Sequence, residues 1–325
     1  MVRVGAKVLQ YTAVLLVAFT LNFLLPHLAP GDPVGYTVGA VGSLDAAQLD
    51  QVRAEFGLDK PLPQQYLQYW RDLVRGDLGT SVRLAQPVRT VLVQRVGWTI
   101  LLVGTATVAS TMLGIMAAVL AAWRRRDRDD LAAVITVLGI DAMPAFWIAM
   151  VLSGVFAVEL GWFPSFGATP FGAVGVSWLA GVAHRLVLPA LALTVAGVGG
   201  TFLLTRGTML DTFGAPHVRM AVAKGVDDRA ILFRHVLRTS LLPTYTHVAL
   251  GLGAVLGGSV VVETVFAYPG LGRLIFQSAI SRDYPVLRGS FVLLTVGVVA
   301  ANLIADLTYP LLDPRVRRPR SPVPG

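Results

Sequence analysis

The sequence predicts an all-α integral membrane protein built from six transmembrane helices. Three observations carry this. Of 325 residues, 54% are hydrophobic and only 14% are charged, a balance far from that of soluble domains. Long uncharged runs recur along the chain, each of a length that crosses a bilayer. With the N-terminus inside, the inner segments (the first seven residues, 124–130, 206–240 and 313–325) hold 16 of the 27 basic residues. That is the charge asymmetry that membrane insertion imposes. Helices are the economical spanning element, because each satisfies its own backbone hydrogen bonds in lipid.

Taken in order, Val8 to Leu28 is apolar and uncharged and forms the first span, giving an N-terminal membrane helix over residues 1–28. A secretory signal is the competing reading. No small-residue cleavage site follows the run, so it is read as retained. Residues 29–97 form the one sizeable polar piece, an extracytoplasmic loop with seven basic and seven acidic residues. Ser43 is placed to cap a short helix ending at Gly57. A second helix starts at Pro63, with Tyr66, Trp70 and Leu73 on one face. Both fold over the outer mouth of the bundle or lie at the interface.

The membrane core covers residues 98–312. Trp98 to Trp123 is the second span, 26 residues without a charge, and Arg124 to Asp130 is a charged turn. Leu131 to Val158 is the third span, with Asp141 and Pro144 inside it. Leu160 to Ala183 is uncharged as well. Its five glycines and two prolines argue for an apolar external loop. Leu186 to Thr205, Leu241 to Val262 and Gly289 to Leu312 are spans four to six, and 313–325 is a basic inner tail.

Several classes fall away. The net charge of +8 is scattered between apolar runs, with no basic and aromatic platform for nucleic acid. There is no cysteine, hence no disulfide framework. None of the three lysines closes a phosphate-binding loop, the five histidines are dispersed, and no Gly-x-Ser-x-Gly elbow occurs. The chain is expected not to be an enzyme and to hold no cofactor or metal of its own.

Ionisable groups near the spans need a reason to be there. Asp141, beside Pro144, either lines a translocation path or hydrogen-bonds a neighbouring helix. Glu159 and Glu263 sit near outer span ends, where water is close, and take structural roles. Gly253 and Gly257, with Gly251 and Gly258, make a smooth face in the fifth span for close helix packing or for lining a pore.

Arg219 to Pro243 is a polar helical island between apolar runs. Gly225 suits a helix C-cap, Asp227 and Asp228 suit the next N-cap, and Pro243 suits the start of the following span. Two short helices meeting at Gly225 form an elbow that a partner can push. A basic amphipathic loop serving only topology is the alternative.

This stretch resembles the cytoplasmic coupling loop of binding-protein-dependent ABC importer permeases, in the dipeptide, oligopeptide and nickel branch. That family carries a Glu-Ala-Ala-x-x-x-Gly motif. Here Gly225 is its glycine and Ala221 its last alanine, while Arg219 and Met220 stand at the first two places. Ala221, Ala223, Lys224 and Gly225 fit the branch's Ala-x-Ala-Lys-Gly, and Arg234, His235, Arg238, Leu242 and Pro243 fit downstream. Pro30-Gly-Asp-Pro33, Gly57-Leu-Asp-Lys-Pro-Leu-Pro63, Gly76-Asp-Leu-Gly79, Leu204-Thr-Arg206, Val262-Glu-Thr-Val-Phe266, Tyr268-Pro-Gly-Leu-Gly272 and Leu312-Asp-Pro-Arg315 extend the likeness over nearly the whole chain, in order.

The resemblance implies a type I importer permease fold in the cell membrane, with both termini cytoplasmic and a coupling loop at 206–240. Its coupling residues are Arg219, Ala221, Ala223, Lys224, Gly225, Arg234, His235 and Pro243, with Arg229 able to join them at a charged rim. It also implies a second permease subunit, usually different from this one though a homodimer is open. Two ATP-binding cassette subunits holding ATP and Mg²⁺ and an extracytoplasmic binding protein complete the assembly. Di- or oligopeptides are the expected cargo, with nickel or another small solute as alternatives. A secondary transporter or channel is the reading from another class. It needs ion-coupling groups at midplane, where Asp141 alone qualifies, and an inverted repeat, of which there is no sign.

Overall fold

The structure, a computed structural model, describes residues 2–28, 60–124 and 127–312, without the side chains of 2–6, 8, 25–28, 124, 127–130, 250, 252–258 and 309–312. The expected Ser43–Gly57 helix, the Pro30–Pro33 motif and the basic tail lie outside the described residues. So do the side chains around the Gly253–Gly257 pair. The chain divides into two compact units, one of residues 1–98 and 269–299, the other of 99–268 and 300–325. Among the described residues the regular elements are helices, and a lone bridge pairs Thr80 with Pro87.

In the first unit, α1 (Val2–Leu28) packs against α2 (Leu62–Arg75). The aromatic face of α2 makes the contact. Phe19 meets Trp70 edge-on at 5.9 Å, Phe23 meets Tyr66 at 5.2 Å, and the hydroxyls of Thr20 and Tyr66 are 2.9 Å apart. Partial burial pushes the Tyr69 phenol up, since its charged form loses water. The α2 helix ends at Gly76, whose φ of +73° needs no Cβ.

The first eleven residues of α3 (Val88–Arg124), then α9 (Leu271–Ile280) and the start of α10 (Tyr284–Leu312), make the unit's apolar core. Val88, Val91, Leu92, Leu271, Leu274 and Val286 form it. Beside it Asp283 is buried. Its Oδ2 accepts from Ser81 Oγ at 2.5 Å and from the Arg83 amide at 3.4 Å, which fastens the 76–87 segment to the start of α10.

In the second unit, α4 (Asp127–Asp141) and α5 (Ala145–Leu152), the latter widening into a π-helical turn over Ser153–Glu159, make a pair bent by 90°. The expected third span is therefore broken. Pro144 has no amide hydrogen to offer the preceding turn, and it holds φ −62° and ψ 140° before α5 restarts. The α6 helix (Gly175–Phe213) is 39 residues, about 58 Å long at 1.5 Å per residue. The expected external loop is correspondingly shorter than Leu160–Ala183, because its last nine residues already belong to α6. Gly114 of α3 lets that helix approach α6. A Cβ there would lie 2.9 Å from Thr201 Cβ, and Ala118, Ala121 and Phe202 continue the contact.

Among the described residues three helices, Val88–Trp123, Gly175–Phe213 and Tyr284–Thr308, are long and apolar enough to cross a membrane, and the bent pair makes a fourth crossing if counted as one. Leu9–Leu24 is a shorter apolar helix.

Removing the Ser81 hydroxyl leaves a buried carboxylate short of a donor, a cost of about 1–3 kcal/mol. Ser81→Ala is expected to lower the thermal midpoint of the detergent-solubilised protein, and an unchanged melting curve would show that the Asp283 contact contributes nothing.

Candidate functional site

The sequence island folds as one elbow. After α6 the chain turns through Gly214 and Ala215 into α7 (Pro216–Ala223), with Pro216 at a first-turn position that needs no amide hydrogen. Val218 and Ala221, three apart and hence on one face, turn inward. They join Ala122, Met209, Ile231, Leu232 and Val236 in a buried cluster. Gly225, at φ +73°, closes α7. Its amide reaches the Val222 carbonyl at 2.9 Å, and the Val226 amide reaches Ala221 at 3.2 Å, the paired bonds of a Schellman cap. Asp227 caps the next segment, its Oδ2 accepting from the Arg229 amide at 3.0 Å.

That next segment does not stop where two short helices were expected. A turn at Asp228–Ala230 widens into a π-helical stretch, Ile231–Leu237, and runs without a break into α8 (Arg238–Val265). Pro243 accordingly lies inside α8, not at its start. A proline there removes a donor to the turn before it. Hydroxyls bond other carbonyls of the neighbouring turns. Thr239 Oγ1 donates to His235 O at 3.0 Å, Ser240 Oγ to Val236 O at 3.0 Å, and Thr208 Oγ1 of α6 to Ser240 O at 3.3 Å. Thr205 and Thr244 face each other at 2.9 Å. The elbow is thus tied to the α6 and α8 backbones by polar contacts and to Ala122 of α3 by apolar ones.

Of the residues singled out from sequence, Arg219, Ala223, Lys224, Arg234 and Pro243 are exposed, His235 is half-buried and Ala221 is buried in the cluster. Ala221 therefore packs the elbow against its own chain, while Ala223 faces outward. The outer surface carries Arg219, Lys224, Arg229, Arg234 and Arg238 against Asp227 and Asp228. Sequence reasoning missed three residues there: Met220, Val222 and Phe233, which are 59%, 58% and 57% exposed. Once Val218 and Ala221 are assigned inward, helical spacing puts Met220 outward, so that signal was present. Val222, four residues after Val218, reads as inward by the same spacing, and the structure shows it exposed.

Elsewhere in this unit, Asp141 is exposed at the end of α4, where the chain breaks before Pro144. Glu159 is exposed too. Glu263 departs from expectation: it is fully buried and accepts from Thr99 Oγ1 at 2.8 Å. Near it Tyr268 is buried, and loss of water together with the Glu263 charge raises its phenol well above the usual range.

Comparison with known proteins gives the family. The family model described as the binding-protein-dependent transport system inner membrane component matches residues 110–318, and its N-terminal companion matches residues 1–102. The chain belongs to this family of binding-protein-dependent transport permeases. It is 38% identical over 315 residues to the oligopeptide transport system permease protein AppB of Bacillus subtilis, covering 95% of this chain and 97% of that one. It is 36% identical to the glutathione transport system permease protein GsiC of Pectobacterium atrosepticum, over 96% and 97% of the two chains.

Among solved structures, it is similar to a chain of the MetNI methionine ABC transporter in an inward-facing conformation. The TM-score is 0.57 at 17% identity, over 68% of this chain and 96% of that one. An amino acid ABC transporter crystallised with histidines gives a TM-score of 0.52 at 13% identity, over 69% and 94%. These two likenesses show the fold alone: the all-helical fold of membrane chains in ABC transporters.

Among the described residues, no atom beyond Gly225's own chain neighbours stands within 4 Å of where its Cβ would sit, so a side chain there is opposed by φ. Gly225→Ala is expected to cost about 1–2 kcal/mol and Asp227→Ala about 1 kcal/mol, each read as a drop in thermal midpoint.

Proposed function

We propose that this chain is one transmembrane permease subunit of an ATP-driven importer that moves di- or oligopeptides delivered by an extracytoplasmic binding protein. Near full-length likeness to an oligopeptide permease and a glutathione permease carries the reading, since both relatives are named for peptide cargo. Six spans with both termini cytoplasmic fit it. The bent α4–α5 pair counts as one crossing, α1 and α8 make two more, and residues 206–240 fall on the inner side. Residues 29–97 then face the binding protein and the second permease, 98–312 form the transport core, and 313–325 an inner tail.

The elbow is the part built to receive force. A partner ATPase that closes on ATP presses α7 and the π-helical stretch. Because that stretch runs unbroken into α8, displacement passes into a span without a hinge. The spans shift between inward-open and outward-open states, each ligand biasing an existing equilibrium. ATP and Mg²⁺ belong to two partner ATPase subunits, and a second permease, distinct from this one, completes the pathway.

Magnitudes rank the docking contacts. Burying Met220, Val222 or Phe233 in a partner cleft is worth about 1.5–3 kcal/mol each, whereas an exposed ion pair from Arg219, Lys224, Arg229 or Arg234 is worth about 1 kcal/mol or less. The apolar residues anchor and the basic ones orient.

Two outcomes are expected with the complete complex in proteoliposomes. Gly225→Pro should assemble yet lose most ATP-driven uptake of a labelled peptide. If its uptake matches the parent, the elbow does not couple. Phe233→Ala should weaken co-purification of the ATPase more than Arg234→Ala does, and the reverse ranking would make charge the anchor.

A further inference from the structure

One turn of α6 contains three glycines, Gly197, Gly199 and Gly200. Each glycine inside a helix costs about 1 kcal/mol relative to alanine, so the turn must return something for the lost propensity. Three helices place polar side chains against it. A Cβ on Gly197 would lie 3.3 Å from Ser110 Oγ of α3. One on Gly199 would lie 2.1 Å from Asp141 Oδ1 of α4, and one on Gly200 would lie 3.1 Å from His247 Nε2 of α8. The glycines are thus the floor on which a carboxylate and an imidazole rest, within about 11 Å of each other given the separation of neighbouring Cβ positions on a helix.

The depth is that of the membrane interior. Along α4, Asp141 is about 15 Å from Leu131, where the charged turn ends, half of a ~30 Å hydrocarbon core. Along α8, His247 is about 14 Å from Arg238, and along α6 Gly199 is about 10 Å from Arg206. Asp141 and His247 are both exposed, and among the described residues neither has a hydrogen-bond or ion-pair partner. A carboxylate at that depth is stable only against water or a cation. It stands exposed at the broken end of α4, open to a passing solute.

We infer that Asp141, seated on Gly199, receives the α-ammonium of a peptide in transit, with His247 on Gly200 hydrogen-bonding the peptide backbone beside it. This rests on the peptide-import reading above and adds a selectivity to it: the permease itself favours cargo with a free amino terminus.

The test uses the full complex in proteoliposomes with saturating binding protein. Initial ATP-driven uptake is measured for a tripeptide and for its des-amino analogue, by the parent, Asp141→Asn and Asp141→Glu. The asparagine keeps the shape and removes the charge. It is expected to cut tripeptide uptake and the preference over the analogue about tenfold, the scale of one charge-assisted hydrogen bond, while the glutamate retains both. The binding protein is common to all arms, so a changed preference belongs to the permease. If the parent moves the tripeptide and Asp141→Asn does so with the same rate and preference, the inference falls and the peptide reading stands. If the parent hydrolyses ATP and moves no tripeptide, the peptide reading falls and takes the inference with it.

Discussion

Val218 and Ala221 hold α7 against Met209, Ile231, Leu232 and Val236, and the direction of every outward residue on the elbow follows from that packing. With Val218 and Ala221 inward on an eight-residue helix, Arg219, Met220, Val222 and Ala223 are left exposed. The Schellman cap at Gly225 and the Asp227 cap then set the angle to the next segment, which carries Phe233 and Arg234 outward. A loop serving only membrane topology would need basic residues but neither a buried cluster nor two completed caps. Both are present, which supports the proposed lever over a charged linker.

Much of this was legible in the sequence. Gly225 followed by Asp227 announced the stop and start, because a left-handed cap and a side-chain acceptor are local requirements satisfied by few residue types. The inward face of α2 could be read as well, since Tyr66 and Trp70 recur at helical spacing in a polar segment. The ordered short motifs from Pro30 to Arg315 carried the family over the whole chain, which the relatives from Bacillus subtilis and Pectobacterium atrosepticum match.

What sequence did not disclose depends on partners distant in the chain. Pro144 reads equally as a kink or a break. The 90° turn at α4–α5 is decided by packing that periodicity does not encode. Pro243 reads as a helix start by local rule, yet hydroxyls from Thr239, Ser240 and Thr208 bond carbonyls of the neighbouring turns and the helix passes through it. Glu263 reads as a water-facing acid at a span end, yet it is buried and bonded to Thr99, 164 residues earlier, a pairing that local sequence does not encode. Gly197, Gly199 and Gly200 carry no local signal of their own, since Ser110, Asp141 and His247, which rest on them, lie on three other helices.

The central claim is that the elbow and the start of α8 move as one body. The chain has no cysteine, so two introduced labels report without background. Ala223→Cys and Thr239→Cys place spin labels on exposed positions of α7 and α8. Their distance would be recorded by pulsed electron resonance in the assembled complex, nucleotide-free and with ATP trapped. The account predicts one distance distribution in both states. A shift approaching one helical turn, about 5 Å, would mean that the elbow bends at Gly225 and absorbs the motion instead of transmitting it.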